Sequence, residues 1–448
     1  MEAIEKLTIE LANAKVLNAN RLDKMKRKFC SETKNQLPQN SEVLAAYRKL
    51  VATNKLKQNA PLEHFLIKRK IRTLSGVAPV AVLTKPYPCP GKCAYCPTEK
   101  GMPKSYLSNE PAVMRAMRSN FDPYKQTALR IEALEATGHV TDKIELIVMG
   151  GTFTHFPKKY QQWFVKRCFD ACNNKICCNL SSAQKFNEKA KHRIIGLTLE
   201  TRPDHINAQA IQHFRQLGCT KVEIGVQTLD DKIFLLNKRG HNVEQVVSAT
   251  KLLKQAGFKV AYHWMPNLPG STARKDLLLY KKLFSDERFQ PDMIKIYPTV
   301  VTKNSLIYKW WKQGKYKPYS YKQLLNLLIN IKKIIPPYVR VNRLIRDIPS
   351  PSIEAGNKIS NLRENIQKEK ARRGLRCKCI RCREVGHQKK SPSPLEGEGW
   401  GEGVHGKPRP IIPKLFIKKY QASGGTEYFL SFESLDKKIL YAFLRLRI

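Results

Sequence analysis

Between residues 76 and 345 the chain alternates short apolar runs with longer stretches in which apolar residues recur every three or four positions. The runs are Val77-Ala-Pro-Val-Ala-Val-Leu83, Ile144-Glu-Leu-Ile-Val-Met149, Ile194-Ile-Gly-Leu-Thr-Leu199, Lys221-Val-Glu-Ile-Gly-Val226, Lys259-Val-Ala-Tyr-His263 and Met293-Ile-Lys-Ile-Tyr297. Six strands, each followed by a helical stretch, predict an α/β fold in which helices cover a parallel sheet, built as a partial (β/α)6 barrel. Reactive groups in such a barrel stand at the C-terminal ends of the strands.

The flanks follow other periods. In residues 1–75, Ile4, Leu7 and Leu11 share one helical face, while Asn20-Arg-Leu-Asp-Lys-Met-Lys-Arg-Lys28 and Ile67-Lys-Arg-Lys-Ile-Arg72 supply cationic surface; this part reads as a helical, basic N-terminal arm. Residues 346–390 read as a basic linker. Residues 391–410 include Ser391-Pro-Ser-Pro-Leu-Glu-Gly-Glu-Gly-Trp-Gly-Glu-Gly403, too poor in apolar groups to fold, and read as a flexible insertion. In residues 411–448, two alternating aromatic-rich segments, 420–434 and 439–448, joined by Leu435-Asp-Lys-Lys438, predict a hairpin.

Charge narrows the partners. Lys and Arg number 81 against 37 Asp and Glu, a formal net charge of +44, which favours a polyanion and first of all nucleic acid. A general lysine bias is the plainer alternative. No window approaches the roughly 20 unbroken apolar residues of a membrane helix, and the N-terminus has no secretion-signal pattern, so no membrane partner and a cytoplasmic location are expected. Six of the 12 cysteines fall in two tight groups, which suits metal-bound thiols better than disulfides.

The first group is Cys89-Pro-Gly-Lys-Cys93-Ala-Tyr-Cys96, directly after the first strand. Three thiolates at this spacing can each hold one iron of a [4Fe-4S] cluster, leaving the fourth iron open to chelate S-adenosylmethionine, whose sulfonium an electron then cleaves to a 5′-deoxyadenosyl radical. A zinc site and a set of buried thiols are the competing readings. Later strands also end in polar groups. Gly150-Gly151-Thr152 offers bare backbone to an amino group; Glu200 and Arg202 suit ribose hydroxyls or an ammonium, and a carboxylate; Gln227 adds an amide, and Tyr262-His263-Trp264 a polar and aromatic group. Each alone has a structural reading, as a turn or a surface ion pair, but five strand ends in succession favour a site.

Arg72-Thr-Leu-Ser-Gly-Val-Ala-Pro-Val-Ala-Val-Leu-Thr-Lys85, the Gly-Gly-Thr-Phe153 turn, Leu199-Glu-Thr-Arg-Pro-Asp204, Lys295-Ile-Tyr-Pro298 and Arg346-Asp-Ile-Pro349 together resemble the catalytic subunit of Elongator. That family joins a radical SAM barrel to a GNAT acetyltransferase domain and modifies the wobble uridine of tRNA. The resemblance implies that Cys89, Cys93 and Cys96 ligate the cluster and that Gly150, Gly151, Thr152, Glu200, Arg202 and Gln227 line the S-adenosylmethionine site. It also implies that Lys295 and Tyr297 face the substrate. The implied reaction joins an acetyl-derived carbon from acetyl-CoA to C5 of uracil and needs an electron donor. Thr98-Glu99 stand where the family commonly has a second Gly pair.

The second group, Cys377-Lys-Cys379-Ile-Arg-Cys382, predicts a zinc site with His387 as a fourth ligand, a second iron–sulfur cluster being the other reading. In the family this segment resembles a zinc loop between domains. Residues 411–448 resemble the opening strands of the acetyltransferase domain, and the Gly-rich turn that would hold the CoA pyrophosphate does not follow them. The expectation is an incomplete domain, completed by a separate chain or impaired. A non-catalytic tRNA-binding remnant is the rival reading. A protein acetyltransferase is a third, disfavoured by the missing CoA turn.

Overall fold

A computed structural model describes residues 2–14, 18–34, 36–67, 70–387 and 412–448. The Gly/Pro-rich insertion at 391–410, part of the basic run at 67–72 and the end of the linker lie outside them. The chain divides into two compact units: Met1–Val80, Tyr124–Leu146 and Arg167–Ile195, and Ala81–Pro123, Ile147–Lys166 and Gly196–Ile448.

The N-terminal stretch of the first unit folds as α1 (Glu2–Ala12), α2 (Ala19–Thr33), α3 (Asn40–Ala52) and α4 (Ala60–Leu66). Leu7 and Leu11, on the apolar face legible in the sequence, are buried with Leu22, Phe29, Val43, Leu44, Tyr47, Leu62 and Leu66, and Ile4 packs at the edge of the cluster. The arm therefore has a core of its own. Asn18 and Asn59 cap α2 and α4 by accepting from Arg21 N–H and Leu62 N–H.

The main sheet is parallel and has seven strands in consecutive order: β1 (Ala78–Leu83), β2 (Lys143–Met149), β3 (Arg193–Thr201), β4 (Lys221–Gln227), β5 (Lys259–Trp264), β6 (Met293–Ile296) and β7 (Arg340–Arg343). Consecutive order without β7 closing onto β1 is the open relative of the (β/α)8 barrel. The six expected strands are all present. The seventh corrects the count, because Arg340-Val-Asn-Arg343 is too short and too polar to stand out, with Val341 its one fully buried apolar residue. β7 pairs parallel to β6 through Met293–Arg340 and Ile294–Val341.

Alternation along the strands sorts the side chains. On β4, Val222, Ile224 and Val226 are fully buried on one face, while Lys221, Glu223, Gly225 and Gln227 share the other. The covering helices start at side-chain caps: Asn207, Asn242, Thr272 and Ser320 each accept from the backbone N–H three residues on.

Residues from Lys414 onward form an antiparallel sheet of three strands, β8 (Lys414–Ala422), β9 (Gly425–Glu433) and β10 (Leu440–Arg447), in the order β10-β9-β8. The hairpin joining 420–434 to 439–448 is present as β9 and β10. The segment 420–434, however, is not one strand: a tight turn at Ser423-Gly424, both at positive φ, splits it and returns β9 along β8. Buried charge docks this sheet on the barrel. Lys254 pairs with Asp292 at 3.1 Å and Glu427 at 3.3 Å, Arg445 with Asp292 at 2.8 Å, and Arg383 with Glu433 at 2.5 Å. Tyr338 stacks on Tyr420 with ring centres 3.8 Å apart.

Candidate active site

After β1 the chain passes through Cys89-Pro-Gly-Lys-Cys93-Ala-Tyr-Cys96 without a helix or strand. Proline at 88, 90 and 97 removes backbone donors that could have closed one. Other contacts hold the loop. Ala94 N–H donates to the Asn237 carbonyl at 2.9 Å, Ile307 N–H to the Ala94 carbonyl at 3.0 Å, and Thr98 N–H to the Asn304 carbonyl at 2.8 Å. Ala94 and Tyr95 are buried against Ile233, Met265, Leu268 and Ile307. Glu99 accepts from Ser108 N–H at 3.0 Å and so ties the loop to the segment that follows it.

This anchoring puts Cys89, Cys93 and Cys96 on one cavity, which strand ends complete: Gly151 and Thr152 after β2, Glu200 and Arg202 at β3, Gln227 at β4, His263 on β5, Lys295 and Tyr297 at β6, and Arg343 on β7. Of the site residues named from sequence in this region, ten line the cavity. Gly150 does not: its φ is +138°, and a Cβ there would sit 1.9 Å from Thr84 Oγ1. Glycine is required at 150 by the close approach of β1, and the bare backbone facing the cavity belongs to Gly151.

Two guanidiniums flank the loop. Arg239 donates to Cys93 Sγ at 3.2 Å and to the Gly225 carbonyl, and Arg202 Nη1 lies 3.9 Å from the same sulfur. Burial alone would raise the Cys93 thiol, but Arg239 and then Arg202 outweigh it and hold Cys93 below the ordinary thiol range. Cys96 has no such partner as close, and burial pushes it up to about 11. Arg202 does not present a free charge for a carboxylate, because it is clamped by Asp204 at 2.8 and 3.0 Å and donates to the Arg239 carbonyl at 2.8 Å. Despite burial, hydrogen bonds from His241 and Arg202 keep Asp204 well below the usual carboxylate range. His241, buried beside these cations, is pushed down to about 4.

The spacing of the thiols bears on what they can hold. A single tetrahedral ion with Zn–S near 2.3 Å brings its sulfurs within about 3.8 Å of one another. Cys377, Cys379 and Cys382 meet this pattern, their sulfurs all lying within 4.8 Å, whereas Cys89, Cys93 and Cys96 do not form such a group. The wider triad, with cationic donors turned on one sulfur, suits an anionic cluster of several irons rather than one ion. Gln227, which lines this space, holds a buried acceptor with no hydrogen-bond partner among the described residues, its amide oxygen Oε1.

Deeper in the barrel lies an ionic network. Lys295 pairs with Glu223 and reaches Glu200 at 3.6 Å; His263 Nε2 hydrogen-bonds Glu223 Oε2 at 2.9 Å; the Tyr106 hydroxyl donates to Glu200 Oε2 at 2.9 Å. Although Glu200, Glu223 and His263 lie close enough together to grip a cation, the Lys295 ammonium already fills that role. Burial works against the charge on Lys295, yet Glu223 overrides it and keeps the amine protonated far above neutral pH. Tyr297 packs edge-on to His263, and burial raises its phenol.

Sequence reasoning did not single out Arg239, Tyr106 or Arg343. Arg239 falls in a loop beyond β4, in a chain with 81 basic residues, and nothing in its neighbours marks it. Arg343 was hidden with the strand that carries it. His263 was visible as a strand-end polar group, but its pairing with Glu223, and that of Glu223 with Lys295, depends on three different strands.

In the second cysteine group, His387 is not the neighbour of the thiols: its Nε2 lies 3.4 Å from Glu384 Oε2. The nearby cation is Lys332, 2 % exposed, which donates to Cys379 Sγ at 3.2 Å and Cys382 Sγ at 3.5 Å. Hydrogen bonds from Cys377 and Cys382, with Lys332 opposite, hold Cys379 well below the ordinary thiol range, as a metal ligand needs. Among the described residues no helix is long and apolar enough to cross a membrane.

Residues 87–279 match the Radical SAM superfamily and residues 291–372 the Radical_SAM C-terminal domain. The tRNA uridine(34) acetyltransferase of Methanocaldococcus infernus is 45% identical over 452 residues, covering 99% of this chain and 81% of the relative. Elongator complex protein 3 of Homo sapiens is 39% identical over 393 residues, covering 85% of this chain and 69% of the relative. Among solved structures, the archaeal Methanocaldococcus infernus Elp3 with an N-terminal deletion superposes with a TM-score of 0.71 at 45% identity, covering 83% of this chain and 78% of that one.

Proposed function

The chain belongs to the radical SAM family of the tRNA uridine(34) acetyltransferases and Elongator complex protein 3, and from that membership we propose that it modifies C5 of the tRNA wobble uridine, using acetyl-CoA as the source of the added carbons. The observation that carries this reading is that three cysteines on one loop and residues from six successive strands, β2 to β7, line a single cavity. In this reading Cys89, Cys93 and Cys96 hold a [4Fe-4S] cluster, and Gly151, Thr152, Glu200 and Gln227 orient S-adenosylmethionine. When bound by these cysteines, such a cluster would supply one-electron reductive chemistry toward the sulfonium of S-adenosylmethionine, with the electron coming from a separate donor.

The chain's own residues do the rest by charge and position. Arg239 and Arg202 offset the negative charge of the thiolates, which their low-dielectric surroundings would otherwise penalise. Lys295 stays protonated against Glu223, so it acts as a hydrogen-bond donor and a fixed positive charge toward the uracil, not as a base. Tyr297 stays neutral and donates. Arg202 positions Arg239 and the loop through Asp204 rather than meeting a substrate carboxylate. Zinc on Cys377, Cys379 and Cys382 braces the linker, and the cationic arm of α1 to α4 meets tRNA phosphates. The reaction is assigned to the cytoplasm.

The test is anaerobic reconstitution with iron and sulfide. The wild-type chain is expected to take up iron, turn brown and form 5′-deoxyadenosine, and Cys93→Ala to lose both. Retention of zinc alone at this loop, or S-adenosylmethionine cleavage persisting in Cys93→Ala, would overturn the assignment.

A further inference from the structure

A second concavity, of about 370 Å³, is lined by Lys85, Asn120, Phe121, Asp122, Tyr160 and Trp163. No step described above uses it. Its floor is the end of an aromatic column. Tyr87 stacks on Phe156 at 4.5 Å and 25°, Phe156 on Tyr160 at 4.8 Å and 20°, and Trp163 follows at 5.5 Å and 36°. The column starts at the active-site rim, since Tyr87 is two residues before Cys89 and Phe156 four after Thr152, whose hydroxyl lies 3.8 Å from Cys89 Sγ.

Three features separate this column from ordinary core packing. Trp163 is 44% exposed, so the face of its ring at the end of the column is open to a stacking partner. The Lys85 ammonium stands 5.0 Å above the Tyr160 ring, and Lys158 and Lys159 are exposed on the same helix as Trp163. Asn120 and Phe121, on the opposite wall, are consecutive non-glycine residues at φ +49° and +55°, a conformation that costs free energy and is kept mainly at functional sites.

An aromatic face with Lys85 over one ring and two exposed lysines on the helix of another, at the edge of a cavity proposed to act on a nucleobase, fits an unpaired base with its phosphates. Stacking is tolerant of sequence and the lysines meet the backbone. We propose that the Trp163 concavity is a nucleobase-stacking subsite, which seats a nucleotide of the RNA other than the one that reacts. This rests on the RNA reading of the active site and adds a second, separate point of contact.

Binding of a fluorescein-labelled anticodon stem-loop RNA to the full, cluster-loaded chain tests it. Trp163→Ala is expected to weaken binding about fivefold or more. The slope of log K against log salt should stay as in wild type, because no phosphate contact is lost. Trp163→Phe should recover most of the affinity. Formation of 5′-deoxyadenosine without RNA should be unchanged in both, which shows that the fold is intact. RNA affinity in Trp163→Ala equal to wild type would overturn the subsite and leave the tRNA reading standing; failure of the wild-type chain to bind the RNA would overturn both. Loss of a protein partner by Trp163→Ala with RNA affinity intact would make the concavity a protein-docking surface and overturn the proposal.

Discussion

Replacing Glu223 with glutamine probes the network under the active site. The change keeps size and shape and removes one charge. Glu223 is fully enclosed, paired with Lys295, 2.9 Å from His263 Nε2 and 3.8 Å from Lys221 Nζ. In Glu223→Gln the Lys295 ammonium keeps a single carboxylate, Glu200 at 3.6 Å. Stripping one partner from a buried pair costs about 3–5 kcal/mol, and the remaining Glu200 contact places this case near the lower end. Trp264 on β5, 1% exposed, gives a local fluorescence signal for urea unfolding of this sheet. Lys295→Met and the double variant complete a cycle, in which the double variant is expected to cost clearly less than the sum of the two singles. The sign with pH follows from the carboxyl. Burial opposes its charge, but Lys295 and His263 hold Glu223 well below its ordinary 4.5 in the fold. Its contribution is therefore complete above about pH 4.5 and drains away as pH falls below that, in wild type but not in Glu223→Gln. A single variant within about 0.5 kcal/mol of wild type, or strict additivity in the cycle, would refute the claim that these charges sustain one another.

Gly150→Ala should destabilise by about 2 kcal/mol or more, from the positive φ and the overlap with Thr84 together; adding Thr84→Ala should return only part of this in urea unfolding. His241, neutral in the fold down to about pH 4, binds fewer protons than in the unfolded chain, so stability should fall as pH drops from about 6.5 toward 4, and His241→Asn should flatten that slope. If Cys377, Cys379 and Cys382 hold zinc as proposed, the chain should release one zinc per chain to a chromogenic chelator after thiol modification. Cys379→Ser should abolish that release while His387→Ala leaves it intact, since His387 stands with Glu384 and not with the thiols.

Much of this protein was legible as a pattern because the properties concerned are local. A strand packed under helices on one face and lining a narrow site on the other keeps at least its alternate residues apolar, so the runs of β1 to β6 stood out. A loop that must hold a metal needs its thiols close in sequence, so both cysteine groups could be read directly. Strand ends in a parallel sheet all face one rim, so Gly151, Thr152, Glu200, Arg202 and Gln227 could be gathered from their places after predicted strands, whereas Lys295 and Tyr297 were named through the family resemblance. Where a residue's role is set by what stands across from it, sequence had nothing to offer. Arg202 reads as a carboxylate receptor until Asp204 is seen gripping it, Gly150 as a cofactor contact until Thr84 is seen beneath it, and Arg239 as one more surface cation until its guanidinium is found on Cys93. Short-range chemistry is written along the chain; the pairing of charges from separate strands is settled only when the sheet brings them within a few ångströms in a medium that makes each unpaired charge expensive.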